Sequence, residues 1–239
     1  MGQELYRKAI RPLDAPLDPK IIEGLRLKLA KDTRSFLQHD LGAGQKNRPQ
    51  AFRKVKVKQL ARNGATRAGK GTLLAALAAF RPAKQILELG TQLGISAAYL
   101  ASGMAPYGRL DSIEGDPTLH RLAQVHLNQL GLAKQCKLWQ GDFEQVLNSQ
   151  LSLADLQPDL VYLDGNHRKE PSLRYVELIS PHMPEGALIV LDDIHWSPDM
   201  QAAWSVLKTR PEVQISIEAW PLGILVLGPE SQQEHLILR

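Results

Sequence analysis

Acidic and histidine side chains follow two short apolar runs in the second half of the chain. One run ends in Asp164, with His167 three residues later, and the other ends in Asp192 and Asp193, followed by His195. Crowded carboxylates repel one another, so they need a cation, a substrate amine or a shared proton. Oxygen-rich clusters suit Mg²⁺ or Ca²⁺ better than zinc. The pattern predicts either such a site or acids that cap helices and hold loops.

A turn containing two glycines follows the first apolar run of this region. Gly90 would let the backbone approach a ligand closely, and Gly94 would let the chain turn into a helix. The N-terminus of that helix would present free N–H groups to a carboxylate or a phosphate. The spacing is neither Gly-x-Gly-x-x-Gly nor a P-loop, so a simple tight turn is an equal alternative.

Acids also follow the second and third apolar runs. Glu114 ends the second run, where a carboxylate can accept hydrogen bonds from both hydroxyls of a ribose. Asp142 and Phe143 follow the third run, where the acid can accept from an adenine amino group and the ring can lie against the base. The alternatives are a surface acid at Glu114 and a helix N-cap at Asp142.

Alternating strands and helices position all of these residues. The apolar runs are Gln85–Leu89, Arg109–Glu114, Cys136–Gly141, Asp159–Asp164 and Ala187–Asp193. Helix-like stretches separate them, and Asp116–Pro117 and Ser197–Pro198 offer N-caps with proline at the first helical position. This alternation is typical of βαβ units in a parallel sheet covered by helices on both faces. Ligands bind such sheets outside the carboxyl ends of the strands.

The chain ends in two further extended runs, Val213–Trp220 and Leu222–Gly228. Only Pro221 separates them, so no helix fits between them and they are expected to pair as an antiparallel hairpin.

Basic residues are concentrated in one segment of the chain. Residues 41–87 contain eleven Lys or Arg and no Asp or Glu, which leaves 18 basic against 25 acidic residues elsewhere. Such a segment can bind nucleic acid or another anionic partner, or it can be a solvated face that complements the acidic remainder. The second interpretation is favoured because Phe52 and Phe80 are the only aromatic residues there that could stack on bases.

Composition excludes several other classes of protein. The single cysteine, Cys136, rules out an internal disulfide framework and a cysteine-rich zinc site. The longest apolar stretch, Leu73 to Phe80, is far shorter than the about 20 residues of a membrane span. Residues 1–10 contain no apolar signal-peptide core. We therefore expect a soluble cytoplasmic protein that does not bind membranes.

Taken together, the five segments resemble the class I S-adenosylmethionine-dependent methyltransferases. The similarity is greatest to the small-molecule O-methyltransferases of the catechol type and their uncharacterised bacterial relatives. It rests on ILELGTQLGISAAYLA (86–101), LDSIEGDP (110–117), GDF (141–143), LVYLDGNH (160–167) and IVLDDIHWS (189–197). The resemblance implies an α/β, Rossmann-like doubly wound sheet that is mostly parallel. Its seven strands would have the order 3-2-1-4-5-7-6 and end in the antiparallel hairpin.

The resemblance also implies a set of site residues. The residues placed around S-adenosylmethionine are Glu88, Gly90, Thr91, Gly94, Ser96, Glu114, Gly115, Asp142, Phe143 and Asp164. Asp164, Asp192 and Asp193 stand where the metal-dependent relatives hold Mg²⁺ or another divalent cation, with Asp193 replacing their Asn. His167 stands in place of their basic Lys. His167 and Asp164 are accordingly the catalytic candidates, with the histidine as general base.

By the same resemblance, residues 1–80 are expected to be a helical and basic extension that could fold over the site as a lid. Residues 81–239 would form the cofactor-binding domain. The helical prediction rests on the spacing of Ile21, Ile22, Leu25 and Leu29. The sequence at 40–44, DLGAG, resembles a glycine-rich cofactor loop, but no apolar strand precedes it, so a plain turn is expected.

The function expected from the resemblance is O-methylation of a small-molecule acceptor, with a homodimer as one candidate assembly. Two alternatives stay open. One is a methyltransferase directed at RNA or protein that docks through the basic segment 41–87, and the other is a module that binds the cofactor without transferring a methyl group. A nicotinamide-dependent oxidoreductase is more remote, because the terminal hairpin argues against it.

Overall fold

A computed structural model of the protein describes residues 17–39, 52–80, 82–149, 152–229 and 233–238. The α-helices are α1 (Pro19–Leu29), α2 (Val57–Asn63), α3 (Ala68–Phe80), α4 (Ile95–Gly103), α5 (Pro117–Gln129), α6 (Phe143–Ser149), α7 (Leu153–Leu156), α8 (Lys169–Ile179) and α9 (Pro198–Leu207). The strands are β1 (Ser35–His39), β2 (Phe52–Lys56), β3 (Gln85–Leu89), β4 (Arg109–Glu114), β5 (Cys136–Gln140), β6 (Leu160–Leu163), β7 (Leu188–Leu191), β8 (Val213–Ala219), β9 (Leu222–Leu227) and β10 (Glu234–Leu238).

One large sheet organises the second part of the chain. Its strand order is β10-β8-β9-β7-β6-β3-β4-β5. Strands β3 to β7 are mutually parallel, and β8 and β9 form the antiparallel hairpin at the end. The predicted order of the first seven strands is therefore confirmed. The prediction of seven strands is one short, because β10 adds an eighth that pairs in parallel with β8 at the sheet edge.

The central strands form because their residues suit burial on both faces. Every residue of β6 and β7 is buried, as a parallel strand covered by helices on both sides requires. Two apolar clusters lie on opposite faces, one around Tyr99 and Tyr162 and the other around Val176 and Trp204. Both predicted caps are present, since Asp116 accepts hydrogen bonds from the first turn of α5 and Ser197 accepts one from Met200 in α9.

The N-terminal part shares its core with the sheet domain. Ile22, Leu25 and Leu29 of α1 are buried in the same cluster as Tyr99 of α4, so the predicted amphipathic helix has its apolar face inward. The predicted domain boundary near residue 80 therefore does not separate two hydrophobic cores, because elements on either side of it pack into the same core.

A small antiparallel sheet in this part was not expected. Strands β1 and β2 pair over Ser35–His39 and Phe52–Lys56. A strand thus does precede 40–44, although its side chains are exposed or half-buried rather than an apolar run. Val55 is the only buried residue of the two strands, so their sequence carries little alternation of apolar and polar residues. The predicted turn at 40–44 lies outside the described residues.

Helices α3 and α4 approach each other closely at two glycines. A Cβ atom at Gly71 would lie 2.3 Å from the ring of Tyr99, and one at Gly103 would lie 1.9 Å from the carbonyl oxygen of Ala75. Neither distance is compatible with a real side chain. These contacts fix α3, and with it the residues at its N-terminal end, against the sheet domain.

Glu88 is a fully buried acid in β3, beneath the turn that follows this strand. Ser112 of β4 donates a hydrogen bond of 2.5 Å to its Oε2, while its Oε1 has no hydrogen-bond partner among the described residues. Burial raises the pKa of Glu88 to about 7, against the opposing effect of the Ser112 hydroxyl. The folded protein therefore holds this proton at pH values at which the unfolded chain has lost it.

None of the helices in the described ranges is long and apolar enough to cross a lipid bilayer.

We predict that Gly103→Ala lowers the free energy of unfolding by about 2 kcal/mol or more, because the new methyl group forces α3 and α4 apart. Urea denaturation at 25 °C measures this. Gly24→Ala is the control, since a Cβ at that helical position meets no atom within 4 Å, and it should be neutral or stabilise by up to about 1 kcal/mol. Equal stability of the two variants would contradict the close packing.

We predict that Glu88→Gln flattens the pH dependence of stability. A carboxyl whose pKa is raised by folding contributes a stability that declines as pH rises from about 4.5 to about 7. The decline for this group is at most about 3 kcal/mol. Urea denaturation at pH 5 and pH 8 measures it, and the difference between the two pH values should be smaller in Glu88→Gln than in the wild type. An identical difference would show that Glu88 is ionised in the folded protein.

Candidate functional site

A cavity of about 620 Å³ lies at the carboxyl ends of strands β3 to β7. Eleven of the residues predicted from the sequence line it: Gly90, Thr91, Ser96, Glu114, Gly115, Asp142, Phe143, Asp164, His167, Asp192 and Asp193. Glu88 and Gly94 lie behind its wall. Residues far apart in the sequence thus share one cavity, as expected for the carboxyl edge of a parallel sheet.

The turn after β3 requires glycine at its first position. Gly90 has a φ of +110°, and a Cβ there would lie only 2.2 Å from the carbonyl oxygen of Asp164. Gly94 has a φ of +79° and caps the N-terminus of α4. The backbone therefore passes close to the end of β6 and then presents the first N–H groups of α4, with Ile95 and Ser96, to the cavity.

Glu114 lies at the end of β4 with both carboxylate oxygens held by the backbone. The N–H of Gln92 donates to Oε2 at 2.8 Å, and the N–H of Asp116 donates to Oε1 at 2.9 Å. Burial raises the pKa of Glu114 to about 7, while these backbone hydrogen bonds oppose the increase. Each oxygen retains one further lone pair for a ligand hydroxyl.

Asp142 and Phe143 begin α6 beside this acid. Asp142 accepts a hydrogen bond of 3.1 Å from the backbone N–H of Gln145, so it is an N-cap and also a cavity residue. The ring of Phe143 meets Tyr175 edge-on with centroids 5.6 Å apart. A Cβ at Gly165 would lie 2.8 Å from the Phe143 ring, so the glycine leaves room for that ring at the cavity wall.

The acids at the ends of β6 and β7 share a phenol. The hydroxyl of Tyr162 lies 3.0 Å from Oδ2 of Asp164 and 2.9 Å from Oδ2 of Asp192. A phenol has one proton and can donate to only one of the two carboxylates. Burial and the neighbouring charge of Asp192 raise the pKa of Asp164 well above its usual range. A protonated Asp164 would donate to the phenol while the phenol donates to Asp192, so the three groups are suited to a shared proton.

Lys70 provides the positive charge at this cluster. Its ammonium, from the first turn of α3, forms an ion pair with Oδ2 of Asp192. Burial lowers the pKa of Lys70, but Asp164, Asp192 and Asp193 more than offset this effect, so the group remains charged.

The same contacts test the predicted divalent cation. Oδ2 of Asp192 is taken by Lys70 and Tyr162, and Oδ1 accepts the backbone N–H of Asp193 at 2.9 Å. A divalent ion on Asp192 would lie within about 5 Å of the ammonium and be repelled by it. Within the described ranges, no three His, Cys, Asp or Glu side chains are grouped so that they could hold a metal ion. The arrangement of the acids therefore does not fit a bound divalent cation.

His167 lies next to this cluster on the cavity wall. Its Nε2 is 3.7 Å from Oδ1 of Asp164, and burial lowers the pKa of its imidazole despite the acids around it. The ring meets Trp196 edge-on at 5.7 Å. Trp196 is 63% exposed, which excludes a core position for it, and His195 stacks on Trp220. A neutral imidazole facing the cavity has a lone pair that can accept a proton.

The sequence did not reveal the cavity residues of the N-terminal part. Gln38, His39 and residues 63–67 line the cavity together with Gly69 and Lys70. The backbone N–H of His39 donates to Oδ2 of Asp116 at 2.6 Å, which fixes β1 next to the loop after β4. No motif marks these residues, and Lys70 is one cation among the eleven of the basic segment.

The basic segment does not act as a single face. Lys70 points into the cavity, and Arg62 donates to the carbonyl oxygen of Ala30. Lys54 and Lys56 are exposed on β2. Residues 41–51 lie outside the described residues, so the predicted docking surface is described only in part.

Comparisons with known proteins agree with this geometry. Residues 87–194 match the family described as a methyltransferase domain. A putative O-methyltransferase of Mycobacterium sp. (strain JLS) is 34% identical over 128 residues, which are 53% of this chain and 56% of that protein. The catechol O-methyltransferase of Mycobacterium tuberculosis is 32% identical over 130 residues, or 54% of this chain and 57% of that protein. The chain thus spans just over half the length of these curated relatives.

The similarity to a solved O-methyltransferase structure extends over a longer part of the chain. The O-methyltransferase TomG of Streptomyces achromogenes, solved in complex with SAM, has a TM-score of 0.61 and 25% identity, covering 69% of this chain and 82% of that one. Residues 87–194 therefore resemble a methyltransferase domain, the fold is that of the class I, S-adenosylmethionine-dependent methyltransferases, and the predicted resemblance to the catechol-type O-methyltransferases is confirmed.

Proposed function

We propose that this protein transfers the methyl group of S-adenosylmethionine to an oxygen of a small-molecule acceptor. The observation that carries the proposal is that the Gly90 turn and the carboxylate of Glu114 line one cavity with the cluster of acids after β6 and β7. A ligand bound at the Gly90 turn and at Glu114 would extend its reactive end towards the cluster of acids. The name of the relative from Mycobacterium tuberculosis supports a catechol-like acceptor.

Each part of the cofactor has a matching group in the cavity. The free lone pairs of Glu114 accept the two ribose hydroxyls, and Gly115 gives the sugar access to the backbone. Asp142 and Phe143 contact the adenine. The turn from Gly90 through Thr91, followed by Ser96 at the start of α4, takes the methionine carboxylate, which the helix N-terminus favours.

Glu88 and Gly94 act from behind the wall. The Ser112 hydroxyl lies 2.5 Å from Thr91 Oγ1 and also donates to Glu88, so the acid holds the side chain of the cofactor turn in place. The positive φ of Gly94 directs the helix N-terminus at the ligand. Both are positioning residues under this proposal.

The chain's own groups prepare the acceptor. When bound, the cofactor supplies an electrophilic methyl group on a sulfonium. His167 accepts the proton of the acceptor hydroxyl, Asp164 at 3.7 Å orients the ring, and the charges of Asp193 and Asp192 stabilise the resulting imidazolium. The cavity walls align the two reactants, which accounts for much of the acceleration in a displacement of this kind.

No step of this reaction uses a divalent cation, because the oxygens expected to bind it are engaged by Lys70, Tyr162 and the backbone of Asp193. The N-terminal residues that line the cavity act as part of its lid: Gln38, His39, residues 63–67, Gly69 and Lys70. Residues 81–239 bind the cofactor.

We predict that Glu114→Gln weakens binding of S-adenosylhomocysteine at least about tenfold. The amide keeps the shape but offers the ribose one acceptor oxygen without charge, and hydrogen bonds to charged groups contribute about 1.5–3 kcal/mol. Isothermal titration calorimetry measures the affinity. Glu144→Gln is the matched control, because Glu144 pairs with Arg174 on the surface, and its affinity should equal that of the wild type.

Unchanged affinity in Glu114→Gln would refute the ribose assignment. Failure of the wild-type protein to bind S-adenosylhomocysteine at all would refute the proposed function.

We predict that His167→Gln lowers the rate of methyl transfer by about 100-fold while leaving the affinity for S-adenosylhomocysteine unchanged. Glutamine fills similar space but cannot accept the proton. Mass spectrometry of S-adenosylhomocysteine formed with catechol and simple phenols measures turnover. A rate close to that of the wild type would remove His167 from the reaction.

A further inference from the structure

Lys70 reaches the cluster of acids from a distant part of the chain. It lies in the first turn of α3, and its partner Asp192 follows β7, 122 positions later. Its side chain is 20% exposed and lines the cavity, whereas the Asp192 side chain is 1% exposed. The lysine therefore carries its charge into a partly buried site rather than onto the surface.

The close packing of α3 determines where this charge lies. Gly71, next to Lys70, has no room for a side chain against Tyr99, and Gly103 has none against Ala75. With the helix axis fixed at both points, the lysine side chain extends from a rigid base. Such support is what keeps a functional group at a defined position in a site.

Lys70 alone pairs with these acids among the Lys and Arg side chains that the structure describes. Arg67, directly before α3, also lines the cavity. It is exposed, however, and donates to the carbonyl oxygen of Arg62. Asp164, Asp192 and Asp193 would otherwise hold two or three negative charges at neighbouring strand ends. Crowded carboxylates of this kind are stable only with a counter-charge or a shared proton.

We propose that Lys70 is the resident cation of this cluster, in the position that a divalent ion would otherwise take, and that its ammonium also binds the reacting oxygen of the acceptor. The second half of this proposal rests on the proposed function, and the first half does not. An ammonium has three N–H donors, of which Asp192 takes one. The remaining donors are available to a ligand in the cavity that Lys70 lines.

This arrangement suits an oxygen nucleophile. The acceptor loses its proton to His167, its oxygen forms the new bond to the methyl carbon, and the electron pair of the broken carbon–sulfur bond stays on sulfur. The ammonium keeps its own protons throughout and stabilises the oxygen as negative charge develops on it. A fixed positive group in a site with little water stabilises such charge strongly.

Titration with Mn²⁺ alone tests the first half of the proposal without any acceptor. Isothermal titration calorimetry on the full-length wild type and on Lys70→Ala compares their affinities. We expect the variant to bind Mn²⁺ at least about tenfold more tightly, because removing the ammonium uncovers the carboxylates. Lys54→Ala removes one exposed charge of the basic segment away from the cavity, and it should bind Mn²⁺ as the wild type does.

Two outcomes would overturn the proposal: wild-type binding of Mn²⁺ that Asp192→Asn abolishes, or equal affinity in the wild type and Lys70→Ala. Binding of S-adenosylhomocysteine is measured on the same samples. Its absence in the wild type refutes the proposed function, whereas the Mn²⁺ comparison concerns Lys70 alone.

Turnover tests the second half. With catechol and simple phenols, wild-type turnover should persist in EDTA, and Lys70→Met should reduce it by about 100-fold with unchanged affinity for S-adenosylhomocysteine. Lys70→Arg, which keeps the charge, should restore part of the rate. Loss of wild-type turnover in EDTA, or full turnover in Lys70→Met, would overturn this half.

Discussion

The structure depends on one constraint: parallel strands bring their carboxyl ends, and the acids that lie there, to the same edge of the sheet. In this chain those ends carry Glu114, Asp164, Asp192 and Asp193, and all four line one cavity. Like charges in a partly buried site raise one another's pKa unless something compensates for them. The structure compensates in two ways: backbone N–H groups hold Glu114, and Tyr162 with Lys70 holds the pair of acids after β6 and β7.

This constraint explains why the N-terminal part is joined so closely to the sheet domain. Lys70 can neutralise Asp192 only if α3 lies against α4, and glycines at 71 and 103 allow the helices to approach that closely. His39 adds a second link through Asp116. The extension therefore completes the cavity wall as well as its charge balance, and the continuous apolar core around Tyr99 supports both contacts.

Much of the fold could be predicted from the sequence, because it follows from local rules. Apolar runs, the caps at Asp116 and Ser197 and the short link at Pro221 predicted five parallel strands and a terminal hairpin, whereas the order of the strands was implied by the resemblance to the methyltransferases. Strand β10 could not be obtained in this way, because a short edge strand with mostly exposed side chains has no distinctive pattern.

Site residues could be predicted from the sequence only where they lie at, or directly after, the carboxyl end of a predicted strand. Glu114, Asp164 and Asp192 do so, and all of them line the cavity. Lys70 and Tyr162 do not: the lysine belongs to a basic run, and the tyrosine lies within a buried strand where it reads as a core residue. Their partners are 122 and 30 positions away, so only the three-dimensional fold reveals the contact.

The most direct test of the account is a crystal structure of the protein with S-adenosylhomocysteine bound. We expect the ribose hydroxyls to donate to Glu114 and the amino-acid tail to lie at the Gly90 turn. The sulfur should face the cluster formed by Asp164, Asp192 and Lys70. Ligand density in any other part of the molecule, or a ribose without contact to Glu114, would contradict it.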